Sequence, residues 1–151
     1  MTVMFERVAL LGLGHIGSSI SHGMRKAGSC GMPIPGIELK FESLTEPGRD
    51  AAPGEPGEIC IRGPNVTPGY YEKPEENAAA VTADGFMRTG DIGIMDAGGY
   101  TRIIDRKKDM ILVSGFNVFP NEIENVVSLC PGVLECAAVG VPDERQGESV
   151  K

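Results

Sequence analysis

The sequence predicts a mixed α/β (α+β) chain in three pieces: a short βα unit, a β-rich middle, and the start of a second α+β lobe. Three observations carry that reading. A short apolar run, Val8-Ala9-Leu10-Leu11, meets a glycine-rich turn and an amphipathic segment within the first 28 residues. Strand-like runs separated by Pro- and Gly-rich turns fill the middle. Beyond Lys107, short apolar runs flank one segment with helix-start signals at Pro120. At 151 residues the chain fits one ordinary domain or two small ones.

Residues 5–28, FERVALLGLGHIGSSISHGMRKAG, read as strand, turn and helix. The continuous apolar run suits a buried parallel strand. Ile16, Ile20 and Met24 recur at four-residue spacing and give one apolar stripe, which Gly28 is placed to end. Gly12, Gly14 and Gly17 form G-x-G-x-x-G in the required context, strand before and helix after. Such glycines let backbone N–H groups and a helix N-terminus face a pyrophosphate. FERVALLGLGHIGSS resembles the start of the prephenate and arogenate dehydrogenase family, whose matching glycines bind NAD(P). That resemblance covers residues 1–28 and implies a Rossmann-like fragment. A full dinucleotide site also needs an acidic residue about twenty positions on. Glu38 falls near that distance, but it sits in a strand of the middle piece, so the spacing is taken as accidental. A structural remnant is the plainer reading of this unit.

The middle piece spans residues 29–107. Ile37 to Phe41 reads as a strand, Glu42 to Glu55 as a polar excursion, and Glu58 to Arg62 as a half-buried strand by its alternation. Tyr70 and Tyr71 read as core or rim aromatics, followed by a short helix around Glu75 to Val81. Thr89-Gly90-Asp91 reads as a loop leaving a strand. Ile92 to Met95, the turn Asp96-Ala97-Gly98-Gly99 and Tyr100 to Ile104 make a hairpin. In the last piece, residues 108–151, Met110 to Val113 and Phe116 to Val118 read as paired strands. A helix starts at Pro120, with Glu122 and Glu124 in its first turn and Ile123, Val126 and Val127 as its buried face. Pro131-Gly132 stops it. Val133 to Val141 contains a further strand that turns at Pro142-Asp143, and the chain finishes in a strand, Glu148 to Lys151.

The chemistry concentrates between Gly85 and Glu124. A carboxylate at Asp91 offers two acceptor oxygens, which suit the vicinal hydroxyls of a ribose. Gly90 would permit close approach of backbone to ligand. Arg106, in the charged burst Asp105 to Asp109, offers forked donors for a phosphate or ribose oxygen. The bland alternative is a turn aspartate beside a solvated charged loop. TGDIGIMDAGGY and IIDRKKDMILVSGFNVFPNEIE, together with the segments Gly31 to Lys40 and Gly69 to Asn77, resemble the adenylate-forming superfamily, specifically long- and medium-chain acyl-CoA synthetases. The resemblance covers roughly residues 29–151. It implies that Thr89 and Asp91 belong to the nucleotide site, with Asp91 on the AMP ribose, and that Arg106 contacts the same nucleotide. It makes Lys108 the hinge about which a C-terminal lobe rotates. It places Ser114, Gly115 and Phe116 in a loop lining the pantetheine channel.

Composition narrows the partners. Apolar content of 41% with 23% charge is that of an ordinary soluble chain. Fourteen basic against 21 acidic residues give a net charge of −7, which disfavours nucleic acid and anionic membrane. No run reads as a signal peptide or membrane span. Cys30, Cys60, Cys130 and Cys136 form no C-x-x-C pair, and with only His15 and His22 available no metal site is expected. Scattered thiols fit a reducing cytoplasm. The superfamily's Ser/Thr/Gly-rich phosphate loop and aromatic–Thr–Glu motif do not occur in the 151 residues. Nor does a match to its C-terminal catalytic lysine, since Lys151 sits at the wrong place in the pattern. No catalytic residue is therefore assigned, and no turnover is expected.

The first reading is thus part of an AMP-forming acyl-CoA synthetase with AMP or ATP as a weak ligand, fused to the dinucleotide-type unit. The second is an NAD(P)-binding fragment, and the third a ligand-free chimeric scaffold. An unpaired final strand would promote self-association through its edge.

Overall fold

The computed structural model describes residues 28–151. The βα unit expected over residues 5–28, with Gly12, Gly14 and Gly17, lies outside the described residues apart from Gly28. In chain order the elements are β1 (Glu38–Ser43), β2 (Gly57–Arg62), α1 (Pro74–Ala80), β3 (Met87–Met95) and β4 (Thr101–Arg106). They continue as β5 (Ile111–Val113), β6 (Phe116–Val118), α2 (Pro120–Val127), β7 (Gly140–Asp143) and β8 (Gly147–Val150). Two four-stranded sheets form, in the orders β1-β2-β3-β4 and β6-β5-β8-β7. The chain separates into two compact units. Among the described residues, one holds 28–89 with Gly93–Ile103, the other Gly90–Ile92 with Ile104–Lys151.

In the first unit, β1 and β2 pair antiparallel from Glu38 opposite Arg62 to Ser43 opposite Gly57. Ile37, Ile59, Cys60, Ile61 and Phe86 are its buried apolar side chains. β2 is not the half-buried strand that its alternation suggests. It lies between β1 and β3, and Gly57 to Ile61 are all buried, leaving Arg62 exposed. A buried charge on the neighbouring strand β1 is handled locally. Glu42, 3% exposed, accepts from Arg88 Nε at 2.7 Å and Nη2 at 3.0 Å, and from the Gly48 amide at 2.8 Å. Arg88 Nη1 donates onward to the carbonyls of Ala79 and Val81. At the rim, the Lys40 ammonium and Arg62 guanidinium lie over the Phe86 ring at 5.0 and 4.3 Å, with Asp84 and Glu38 as their carboxylate partners.

Cys60 is fully buried, and its thiol is pushed up to about 11, first by burial and then by the carboxylates of Glu58 and Glu42. The thiolate is the reactive species. Folded protein at pH 8 is therefore expected to leave Cys60 unmodified by iodoacetamide while exposed Cys130 reacts, and denaturant to open Cys60. Mass mapping that finds both alkylated at the same rate would contradict the burial.

α1 starts on Pro74 with Glu75 and Glu76 in its first turn, but it buries no side chain. Its Asn77 clasps the preceding loop, accepting from the Tyr70 amide at 2.6 Å and donating to the Tyr70 carbonyl at 2.9 Å. Tyr70 and Tyr71 are 64% and 87% exposed, so neither is a core aromatic. The hairpin expected around Asp96 forms: Asp96 Oδ1 accepts from the amides of Gly98 and Tyr100 and holds the turn closed.

In the second unit, Ser114 and Gly115 have φ of 51° and 85° and connect β5 to β6 as a two-residue turn. Two successive left-handed residues match the right-handed twist of a hairpin. Three expectations are corrected here. The final strand is not an edge: β8 lies between β5 and β7, and the edges are β6 and β7. The strand expected over Val133–Val141 starts only at Gly140, and Pro142-Asp143 lie inside it. An edge strand tolerates Pro142, which has no N–H to give. The turn falls one step later, where Asp143 Oδ1 accepts from the amides of Arg145 and Gln146. Finally, α2 starts on Pro120 as expected, but its apolar face is not buried. Ile123 is half-buried, whereas Val126 is 66% and Val127 37% exposed.

Among the described residues, no group of three or more His, Cys, Asp or Glu is placed to hold a metal ion. No helix among them is long and apolar enough to cross a membrane.

Candidate functional site

Thr89-Gly90-Asp91 is not a loop. All three residues lie inside β3, where Gly90 takes φ of 74°. A left-handed glycine within a strand is the backbone of a bulge, which re-aims the side chain that follows. A Cβ added to Gly90 would meet nothing within 4 Å of this chain. The glycine is thus required by its backbone angle rather than by crowding. Thr89 donates its hydroxyl to the Ile59 carbonyl at 2.8 Å, inside the first unit.

In the second unit the bulge and the end of β4 meet. The Gly90 carbonyl accepts the Lys107 amide at 2.8 Å. Asp91 Oδ1 accepts from Arg106 Nη1 at 2.9 Å. Asp91 is mostly sheltered, with its side chain 17% exposed, while Arg106 at 58% reaches into solvent. Gly90, Arg106, Lys107 and Lys108 border a shallow hollow of about 350 Å³. The geometry therefore brings Asp91 and Arg106 together, and places Lys108 with Arg106 at the hollow. Lys108 is exposed, in the turn Lys107–Asp109 that leads from β4 to β5. Ser114 and Gly115 form the tip of the β5–β6 hairpin, and Phe116 just after them is 75% exposed. Phe116 is therefore not part of the core.

One residue of this region is invisible to pattern reading. Asp105 is 4% exposed although it opens the charged run. Its Oδ1 accepts the Arg106 amide at 2.7 Å and its Oδ2 accepts the Asn121 amide at 3.0 Å. The second bond satisfies an orphan N–H in the first turn of α2, whose N-cap residue Phe119 makes no side-chain cap. Asn121 Nδ2 returns a bond to the Ile104 carbonyl at 3.2 Å. The only signal in the sequence is an aspartate placed ahead of a Pro-initiated helix, too far along the chain for a capping motif to show it.

Comparison with known proteins adds to this geometry. The AMP-binding enzyme family matches residues 10–71, and the AMP-binding enzyme C-terminal domain matches residues 122–151. The first match starts inside the segment read as a βα unit and runs across Gly12, Gly14 and Gly17. A long-chain-fatty-acid–CoA ligase of Escherichia coli O157:H7 is 52% identical over 125 residues, 83% of this chain and 22% of that one. Another, from Bacillus subtilis (strain 168), is 46% identical over 129 residues, 85% of this chain and 23% of its own. Among solved structures, ATP-bound MatB from Rhodopseudomonas palustris superposes with a TM-score of 0.75 at 39% identity, over 82% of this chain and 24% of that one. The chain spans less than a quarter of the length of these relatives. Asp91, Arg106, Lys108 and Ser114 to Phe116 fall between the two family matches, but a 125-residue match in a chain of 151 necessarily runs through them.

Proposed function

Given that this chain carries part of an AMP-binding acyl-CoA ligase-family protein, we propose that it holds the ribose of AMP or ATP at Asp91 and Arg106. The observation that carries the reading is the 2.9 Å pair between these side chains beside an open hollow. A carboxylate has two acceptor oxygens, the pattern that the vicinal hydroxyls of a ribose call for. A guanidinium carries five N–H donors. Arg106 can thus orient Asp91 and still meet a ligand oxygen, and its exposure leaves it room to do so.

On this reading Thr89 anchors the strand that leads into the site. Lys108, in its exposed turn, is the pivot between pieces 29–107 and 108–151. The Ser114-Gly115-Phe116 tip is the surface offered to a pantetheine arm. The parent reaction would join a fatty acid to CoA, as the names of the relatives suggest. The proposed role is nucleotide binding without turnover, supported by the lack of a match in these 151 residues to the superfamily's phosphate loop and catalytic lysine.

Titration with AMP, followed by amide NMR, is expected to move signals at Gly90, Asp91 and Arg106. Asp91→Ala and Arg106→Ala are each expected to weaken binding by about tenfold or more, the loss of charge-assisted hydrogen bonds. Amide signals that stay fixed at millimolar AMP would refute the reading. Acyl-AMP formed above blank from ATP and a fatty acid would refute the absence of turnover.

A further inference from the structure

We propose that Asp105 is a positioning residue that ties the Asp91–Arg106 clamp to the N-terminus of α2, so that turning the helix about the Lys108 pivot must break a bond beside the clamp. The inference rests on the nucleotide reading for its consequence, but not for its geometry.

Each oxygen of the Asp105 carboxylate has a distinct task. Oδ1 accepts the amide of Arg106, the residue whose side chain reaches Asp91, at 2.7 Å. Oδ2 accepts the amide of Asn121 in the first turn of α2 at 3.0 Å. The Asn121 side chain closes the loop by donating to the carbonyl of Ile104, the residue before Asp105. On the far side, the Gly90 carbonyl accepts the Lys107 amide. Arg106 is therefore flanked by two fixed points, the β3 bulge and the first turn of α2. A side chain 4% exposed with both oxygens engaged has little freedom to reorient. A rotation of α2 about the Lys107–Asp109 turn must carry Asp105 with it or break a buried charge-assisted bond. The occupancy of the clamp is thereby linked to the placement of the helix.

Asparagine at this position keeps the shape but has one acceptor oxygen where aspartate has two, so it can serve only one of the two amides. The test compares Asp105→Asn, Arg106→Ala and the double variant, reading AMP affinity and, in the ligand-free protein, the Arg106 Nε–Hε signal. Asp105→Asn is expected to weaken AMP binding by about tenfold, one charge-assisted bond. In the Arg106→Ala background it is expected to add nothing further. The ligand-free Arg106 Nε–Hε signal is expected to move toward the position of an unpaired arginine. Equal weakening in both backgrounds, or an unmoved signal, would overturn the proposal. If the unaltered protein binds no AMP, the nucleotide reading fails, and the Nε–Hε signal alone decides the positioning role. If Asp105→Asn gives no dispersed spectrum, Asp105→Ser, which retains a helix-capping oxygen, takes its place in the same cycle and is judged by the same affinities and the same signal.

Discussion

Arg88→Ala is expected to destabilise the first unit by about 3–5 kcal/mol, the cost of leaving one member of a buried ion pair behind. Glu42 is 3% exposed, and two of its neighbours are Arg88 and the Gly48 amide. Removing the guanidinium leaves a carboxylate that water cannot reach freely, and it also strips the carbonyls of Ala79 and Val81 of a donor. The Arg88 side chain is 27% exposed, so some water can enter, which places the effect toward the lower end. The double variant Glu42→Ala/Arg88→Ala is expected to be less damaging than Arg88→Ala alone, because the Glu42 carboxylate is then not left buried without its partner. Urea unfolding of the set checks this. A double variant as unstable as the sum of the singles would show that the pair acts through packing rather than charge.

That pair illustrates what is legible in the sequence and what is not. Glu42 and Arg88 stand 46 positions apart, and nothing local marks either as buried. Glu42 reads as the start of a polar excursion, and nothing in the pattern singles out Arg88. The legible elements are those whose cause is local. Pro120 at a helix start, the Asp96 turn and the apolar runs of β2 and β5 each carry their own instruction in backbone chemistry or hydrophobicity. β2 shows the limit: the run announces a strand, but whether one face or both are covered depends on β1 and β3.

The site divides in the same way. Asp91 and Arg106 stand out by residue type and by resemblance, and the structure places them 2.9 Å apart. Their meeting depends on a hairpin and a bulge, which spacing alone does not specify. Asp105 reads as part of a solvated charged run because its neighbours are solvated. Its burial follows from the position of a helix that begins well beyond it, at Pro120. The apolar stripe of α2 misleads in the opposite sense. Amphipathic spacing says that a face can be buried, not that this chain buries it.

The consequence for stability is sharpest in the second unit, where Ile111→Ala is expected to unfold the unit while the first remains folded. Besides Pro120, its buried apolar side chains are Ile92, Ile111 and Ala138, at 0%, 2% and 9% exposure. Against them stand Phe116, Val126, Leu129 and Leu134, all more than half exposed. A unit this small buries a low fraction of its surface and is marginal by itself. Ile111 sits at the centre of what core there is: a Cβ on Gly140 would lie 3.1 Å from its Cγ2, so β7 packs directly on it. Truncating a buried isoleucine to alanine costs about 2–5 kcal/mol, comparable with the entire stability of such a unit. Ile111→Val, at about 0.5–1.5 kcal/mol, is expected to leave it folded. Hydrogen exchange reads the two halves separately. In Ile111→Ala the amides of β5, β7 and β8 should lose protection while those of β1 and β2 keep theirs. Protection lost equally in both sheets would mean that the two units fold as one cooperative body and that the division between them has no thermodynamic counterpart.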